Sequence, residues 1–512
     1  MPVEVFGCWT NKGGVGKTTL TFHLSALYAH LNPTKRVIIA DMCPQANLSN
    51  TVLTRPGRKG SRVVRELSQA AAPLHLPKTV AGYLHTTLVP HSMMGKTIKK
   101  SDFLVKIDEH NPRMPENTWL LCGDNRLDEM SQALARAMAA PSGGMPGADN
   151  FKLSLMTLRF FFMDLETEWA GEDIVVFIDT NPAFTEYTQL ALCTIDRLLI
   201  PVNADDFSLQ AVDYMIWNLF SEQDEFIQGY MQDSFSVKAS QRAADILPKI
   251  ALIVHNRHSV RRTRLANAVQ HLNNQQTLRA CTALQGAKQR LTVNPSASPV
   301  YVDKGLPNAS QFADIFTGTM REMFSAGVAS AFTGIPMHRV QRNRTIINNA
   351  FDGAVVVNTA AVRNLLKDLV KLLALATDDP RLENVDEERV ISLVAGAASL
   401  QGVLHQLDLS TVAVAYDRAR EAAARGWADH EAEPVLDVDS DATLSDRAVP
   451  GGVGDNDSDD GSDDADTGAP GNGGSLGAPG AGASTAGGCA GSSNNIVSLR
   501  GKSQSTSSRG RS

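Results

Sequence analysis

The stretch "NKGGVGKTTL", Asn11 to Leu20, decides how the rest of the chain is read. Gly16-Lys17-Thr18 matches the close of the pattern G-x-x-x-x-G-K-[ST], but Asn11 stands at the first glycine position, so the strict form fails. The form K-G-G-x-G-K-[ST]-[ST] fits in full from Lys12 to Thr19. In such a loop Gly13, Gly14 and Gly16 let the backbone N–H groups, with that of Val15, turn inward around phosphate oxygens. The helix that starts at its end adds its dipole. Lys17 then reaches the β- and γ-phosphates, the Thr18 hydroxyl ligates Mg²⁺, and Thr19, the last residue of the pattern, is counted among the nucleotide-binding candidates. The ordinary loop has no task for the second lysine, Lys12.

The flanks supply the context that such a loop needs. "VEVFGCW" (Val3 to Trp9) is a short apolar run suited to a buried parallel strand. "TTLTFHLSALYAHL" spaces Leu20, Leu24, Leu27 and Leu31 as on one helix face, and Asn32-Pro33 ends it. "RVIIAD" (Arg36 to Asp41) is a second strand, so the chain opens as a βαβ unit. Further strands are expected at "TWLLCGD" (Thr118 to Asp124), "DIVVFID" (Asp173 to Asp179), "DRLLIPV" (Asp196 to Val202) and "PKIALIVHN" (Pro248 to Asn256). "GAVVVN" (Gly353 to Asn358) reads as a strand or the end of a turn. Helices are expected over "LDEMSQALARAMAA" and from about Ala360 to Ala376. Strands alternating with helices define an α/β fold with a doubly wound, mostly parallel sheet.

Composition narrows the class. The 512 residues are 43% hydrophobic and 20% charged, ordinary for a globular chain. The net charge of -7 excludes a wholesale nucleic-acid coat but not local basic patches, because the acids concentrate near the C-terminus. Cys8, Cys43, Cys122, Cys193, Cys281 and Cys489 form no C-x-x-C pair, which removes support for a zinc ribbon or a bridging iron–sulfur cluster. Sparse cysteines fit a reducing cytosol, and neither a signal peptide nor a membrane-spanning stretch is evident. From about Glu431 the chain turns acidic, then Gly/Ala/Ser-rich, and cannot bury enough apolar surface to fold. Its "SSRGRS" end carries no lipidation box.

The loop resembles that of the ParA/MinD family of deviant-Walker P-loop ATPases. More segments agree with the resemblance. "ADMCPQANLS" (Ala40 to Ser49) looks like the family's D-x-D-P-Q-G-N motif, and "VVFIDTNPAF" (Val175 to Phe184) like its Walker B strand. "DRLLIPVNADDFSLQAV", "VHNR" (Val254 to Arg257), "TWLLCGDNRLDEM" and "GIPMHRVQRNRTIINNAFDGAVVV" are similar to later family segments. The resemblance implies ATP and Mg²⁺ as ligands and a homodimer that sandwiches two nucleotides. Lys12 would reach the partner's nucleotide, much as an arginine finger does. It also implies that Asp179 acts near the metal and that Asn256 lies beside the adenine. The match is nearer to ParA-type than to MinD proteins, since no membrane-binding amphipathic helix closes the chain. The family reading covers residues 1–375, with inserts near 55–115 and 265–330. Residues 376–430 read as appended helices and 431–512 as a disordered tail.

One position breaks the pattern. The family's D-x-D supplies two carboxylates, the second associated with placing the attacking water, and here the sequence runs Asp41, Met42, Cys43. A neutral thiol holds water poorly, and loss of a water-orienting group typically costs about 10²–10⁴-fold. Three readings follow: Asp41 takes over with slow hydrolysis, ATP is bound but scarcely hydrolysed, or an acid from elsewhere holds the water. On the family reading Lys12, Lys17 and Asp41 are the catalytic candidates.

The resemblance further implies non-specific DNA binding, a ParB-like or other adaptor as partner, no membrane attachment, and a cytoplasmic, nucleoid-associated location. Basic clusters occur at Arg55–Arg65 and Arg257–Arg264 and at Arg339, Arg342 and Arg344, the last favoured because it lies in the family-like C-terminal segment. The alternatives are an ATP-gated scaffold that does not hydrolyse, and a metabolic member of the superfamily. Missing cysteine pairs argue against a reductase, and no substrate motif supports a ligase.

Overall fold

In the computed structural model, the described residues are 3–55, 57–69, 76–88, 98–141, 149–220, 233–258, 260–261, 264–265, 267–284, 290–291, 308–340, 345–348, 353–377, 379–382, 389–390 and 392–394. The apolar runs form strands as expected: β1 (Glu4–Cys8), β2 (Arg36–Met42), β4 (Thr118–Leu121), β5 (Ile174–Thr180), β6 (Arg197–Asn203) and β7 (Lys249–His258), and an unexpected strand, β3 (Leu104–Lys106), precedes β4. Two short hairpins follow later in the chain, β8 (Val260–Arg261) with β9 (Arg264–Leu265), and β11 (Thr345–Asn348) with β12 (Gly353–Val356). Between them lies β10 (Thr317–Arg321), which joins the main sheet.

That sheet has eight strands in the order β10-β7-β6-β1-β5-β2-β4-β3. All neighbours are parallel except the edge pair β3–β4, which is antiparallel. The chain leaves β1 toward β2 on one side and, after β5, returns toward β6 on the other. Ligands of doubly wound sheets bind at such a reversal, outside the carboxyl ends of the strands. The central strand β5, "IVVFIDT", is buried along its whole length, as a strand covered on both faces must be.

On one face α1 (Lys17–Leu31) packs Leu20, Leu24 and Leu27 against Phe6, Val37 and Phe177. Beside it, α2 (Asn47–Val52) and α3 (Gly60–Leu67) build a smaller cluster around Phe22, Ile39 and Leu120. The opposite face carries the larger core. It is covered by α4 (Val80–Leu88), α5 (Leu127–Ala139), α6 (Asn150–Leu155), α7 (Thr157–Glu168), α8 (Glu186–Leu192) and α9 (Asp206–Phe220). Then come α10 (Phe235–Arg242), α11 (Asn267–Ala283) and α12 (Ala309–Phe316). The chain returns to the α1 face with α13 (Phe324–Thr333) and α14 (Thr359–Thr377).

Each segment read as an insert contributes a strand to the sheet. Residues 55–115 include β3 and put Tyr83, Phe103 and Leu104 in the core. Residues 265–330 contain β10, the far edge strand, which "TGTMR" conceals because it is short and half polar. Within "GAVVVN", Gly353–Val356 form the strand β12, in a two-stranded hairpin apart from the eight-stranded sheet. Past residue 375, Leu382 and Val390 pack on the α1 face, and the His30 Nε2–H donates to Val394 O at 2.7 Å. The expected tail and most of the appended helical segment lie outside the described residues. Among the described residues, no helix is long and apolar enough to cross a membrane.

Candidate functional site

The loop between β1 and α1 is built as its glycines require. Gly14 and Gly16 have φ of 72° and 95°, in the left-handed region, where side chains are strained. A Cβ on Gly16 would also lie 2.2 Å from Asn256 Nδ2. Lys17 curls under the loop, 7% exposed, and its ammonium donates to Thr10 O at 3.2 Å and Lys12 O at 2.9 Å. Burial lowers its pKa, and the nearby Asp179 opposes that. Thr18, one residue into α1, donates its hydroxyl to Asp179 Oδ2 at 2.7 Å. Sheet register explains the meeting: Asp179 lies level with Cys8 on β1 and with Asp41 on β2.

Asp41 and Asp179 are both fully buried. Burial pushes both carboxyls up, Asp41 to about 6 and Asp179 to about 7, and the neighbouring Asp41 adds to the second shift. Asp179 Oδ1 has no hydrogen-bond partner. A threonine hydroxyl, an orphaned carboxylate oxygen and a second buried acid form an all-oxygen set with excess negative charge. That set fits a hard divalent cation such as Mg²⁺. Thr18 and Asp179 would hold it, and it would supply charge neutralisation at phosphate oxygens.

Asp41 is committed elsewhere. Its Oδ2 accepts from Ser49 N and Ser49 Oγ, both at 2.8 Å, and its Oδ1 accepts from Cys43 N at 3.1 Å. Ser49 Oγ in turn accepts from Gly123 N at 2.9 Å. The carboxylate therefore fastens the turn after β2 to α2 and to the end of β4. Burial, then Asp41, pushes the Cys43 thiol up to about 12, so it is neutral and neither a base nor a reactive thiolate.

Lys12 sits at the mouth of the loop and pairs within its own chain. Its ammonium lies 2.5 Å from Asp205 Oδ1 and 3.2 Å from Ser208 Oγ, and 5.6 Å from the centre of the Phe207 ring. Burial would raise the Asp205 carboxyl, but Lys12 and the Ser208 N–H hold it below the usual range. Asp205 and Ser208, like Ser49, belong to the site without being singled out by the sequence. "ADDFSLQAV" is legible there as a family-like segment, but nothing in its spacing assigns its residues a role.

Asn256, at the end of β7, donates its amide to Val15 O at 2.7 Å, and its oxygen accepts from Arg257 N. Here its amide buttresses the phosphate loop, a different contact from the adenine one that the resemblance implies. Of the basic candidates, Arg339 lies in a short 3₁₀ turn, half-buried, with its guanidinium directed at Pro112 O. Burial lowers its pKa, and a cation so enclosed is a poor phosphate contact. Arg342 and Arg344 lie outside the described residues. Among the basic candidates, Lys59, Arg62 and Arg65, on and before α3, are exposed, with Arg62 paired to Glu66, and so is Arg257 at the end of β7.

A mostly parallel sheet with this loop at the end of β1 defines a nucleotide-binding α/β protein of the phosphate-loop class. The model of the CobQ/CobB/MinD/ParA nucleotide binding domain matches residues 9–283, more than half of the chain, and the chain belongs to that family. Among solved structures it is similar to apo McdA of Cyanothece, at 16% identity over 77% of this chain and 99% of that one, with a TM-score of 0.39. It is similar to a putative plasmid partition protein of Borrelia burgdorferi bound to AMPPNP, at 14% identity over 72% and 98%, TM-score 0.37. Cobyrinic acid a,c-diamide synthase of Mycobacterium smegmatis, with an ATP analogue and magnesium, matches at 17% identity over 53% and 80%, TM-score 0.31. No curated protein matches the chain.

Proposed function

We propose that the chain is a ParA-like, nucleotide-switched ATPase that dimerises around ATP, binds DNA non-specifically and positions a plasmid, a chromosome locus or another cargo through an adaptor protein. The observation that carries the reading is the loop with two lysines in different states. Lys17 is buried under the loop against the carbonyls of Thr10 and Lys12, while Lys12 is held at the rim by a partly exposed ion pair. Such a pair contributes about 0–1 kcal/mol, so a phosphate of the facing subunit competes for Lys12 at small cost. Thr18 and Asp179 take Mg²⁺, and Lys17 holds the phosphates.

Turnover in this reading is slow. Cys43 is a neutral thiol, and Asp41 already accepts three hydrogen bonds, so it does not orient water freely. The same observation favours a second reading, an ATP-gated scaffold that binds without hydrolysing. Phosphate release and sedimentation with Mg²⁺ and ATP test both. We expect ATP-dependent dimers that Lys12→Ala abolishes, and a turnover that Cys43→Asp raises about 10²-fold. Dimers unaffected by Lys12→Ala would sink the two-lysine reading. Wild-type turnover that matches the Cys43→Asp variant would remove the case for slow hydrolysis. Zero turnover with intact dimerisation selects the scaffold.

A further inference from the structure

A cavity of about 450 Å³ opens at the amino ends of β6 and β7, where Arg197 and Lys249 are the first residues of their strands. The phosphate loop follows the last residue of β1, which runs parallel to β6. The cavity and the loop therefore lie at opposite edges of the sheet. The length of the seven-residue β6, roughly 20 Å, separates them. Buried Cys193, Ile195 and Leu247 line the cavity, and Met156 and Met163 form one wall.

The two methionines belong to a longer apolar stripe. Leu153, Met156, Phe160 and Met163 recur at intervals of three and four, which places them on one helix face. Met156, between α6 and α7, keeps right-handed backbone (φ -86°, ψ -1°), so the periodicity carries across the joint. Leu153, Phe160 and Met163 are 44%, 36% and 47% exposed. The core does not use this face. It takes the opposite side of α7, with Leu158, Phe161, Phe162 and Leu165. One apolar face is enough to hold a helix on a sheet, and this helix has two.

The polar rim is balanced except for one cation. Arg159 pairs with Asp196 at 2.9 Å and Arg197 with Glu4 at 2.9 Å. Asp245 takes the Lys152 ammonium on both oxygens, at 2.8 and 2.7 Å. Lys249 is exposed and has no ion-pair partner among the described residues.

We propose that this face docks an amphipathic helix of a partner protein, with its apolar side chains on the Leu153–Met163 stripe and an acidic residue against Lys249. The stripe is about 15 Å long, three helical turns, more than a small ligand spans. Methionines are flexible and polarizable, and they recur in grooves that take helical peptides. The surplus cation sets the sign of the partner's charge. Because the face is at the far edge of the sheet from the phosphate loop, docking does not compete with nucleotide.

Panning a display library of random helical peptides on the full chain, with and without Mg²⁺ and ATP, tests it. Anisotropy of the enriched peptides and sedimentation of the protein complete the experiment. Enriched peptides should carry apolar residues at i, i+3 or i+4, and i+7, with an acid beside them. Met163→Asp and Phe160→Asp should each weaken them about tenfold, as loss of a central anchor does. Lys249→Glu should weaken them too, and Lys249→Arg should not. ATP should leave the affinity unchanged. All three side chains are exposed, so folding should survive, and circular dichroism checks it. Equal enrichment on wild type and on Met163→Asp overturns the proposal, and so does selection of basic peptides. Displacement by ATP would move the peptide to the phosphate loop and overturn it as well. Nucleotide-free self-association that Met163→Asp abolishes would make the occupant a second copy of this chain instead.

Discussion

Asp179 shows how one residue can oppose the stability of the fold and serve its site. Its folded pKa of about 7 is raised from 3.8, so its contribution to stability is full below about 3.8 and is lost as pH rises through 7. Near pH 8 the nucleotide-free protein carries a buried charge whose cost is on the order of a few kcal/mol. Asp179→Asn removes the titration. Denaturant unfolding without nucleotide should find this variant more stable than wild type at pH 8, with the advantage fading by pH 5. Equal stability at pH 8 would contradict the assignment. The same variant should lose Mg²⁺-dependent nucleotide binding, because the charge that destabilises the nucleotide-free protein is the one that would hold the cation.

At the scale of elements, the segment 55–115 is fastened to the rest by Asn111. Its amide, completely buried, donates to Val52 O at 2.9 Å and to Gly334 O at 2.8 Å, joining the ends of α2 and α13. Asn111→Ala leaves two carbonyls without this donor and should cost about 1–3 kcal/mol in urea unfolding. A change within experimental error would mean that the segment is an appendage. The proposed DNA binding makes a second prediction for the exposed cations of this region. Replacing Lys59, Arg62 and Arg65 with glutamate should weaken DNA retention and flatten its salt dependence by about one unit of log–log slope per lost phosphate contact. If Arg339→Glu does this and the triple variant does not, the DNA face lies elsewhere.

Elements with strong periodicity are legible in the amino-acid sequence. Leu20, Leu24, Leu27 and Leu31 announce α1, and the continuous run of β5 announces a strand covered on both faces. The loop is legible because Gly14 and Gly16 answer a backbone demand, the left-handed region that their φ occupies. What stays hidden depends on contacts far apart along the chain. Asp205 meets Lys12 across 193 residues, and Asn111 meets Gly334 across 223. β10 is short, and its residues Thr317, Thr319 and Arg321 look polar because one side of an edge strand faces outward.

For the whole molecule the question is what holds Lys12 before a partner arrives. The Lys12–Asp205 pair competes with any role for Lys12 in a second subunit. Asp205→Asn should therefore raise ATP-dependent dimerisation a few-fold, as expected for removal of a pair worth about 0–1 kcal/mol, without strengthening nucleotide binding to the monomer. Weaker dimers in sedimentation would show that Asp205 belongs to the assembled state and does not restrain the free one.

The position of β10 also bears on how the protein is made. Translation proceeds from the N-terminus, and β7 emerges with its apolar run "IALIV" well before residues 317–321 exist to pair with it. Until then the nascent sheet has an open hydrophobic edge, the kind that templates unwanted strand pairing. A fragment cut at residue 283, where the family match ends, would keep that edge for good. It would contain every residue of the phosphate loop and be a poor candidate for expression.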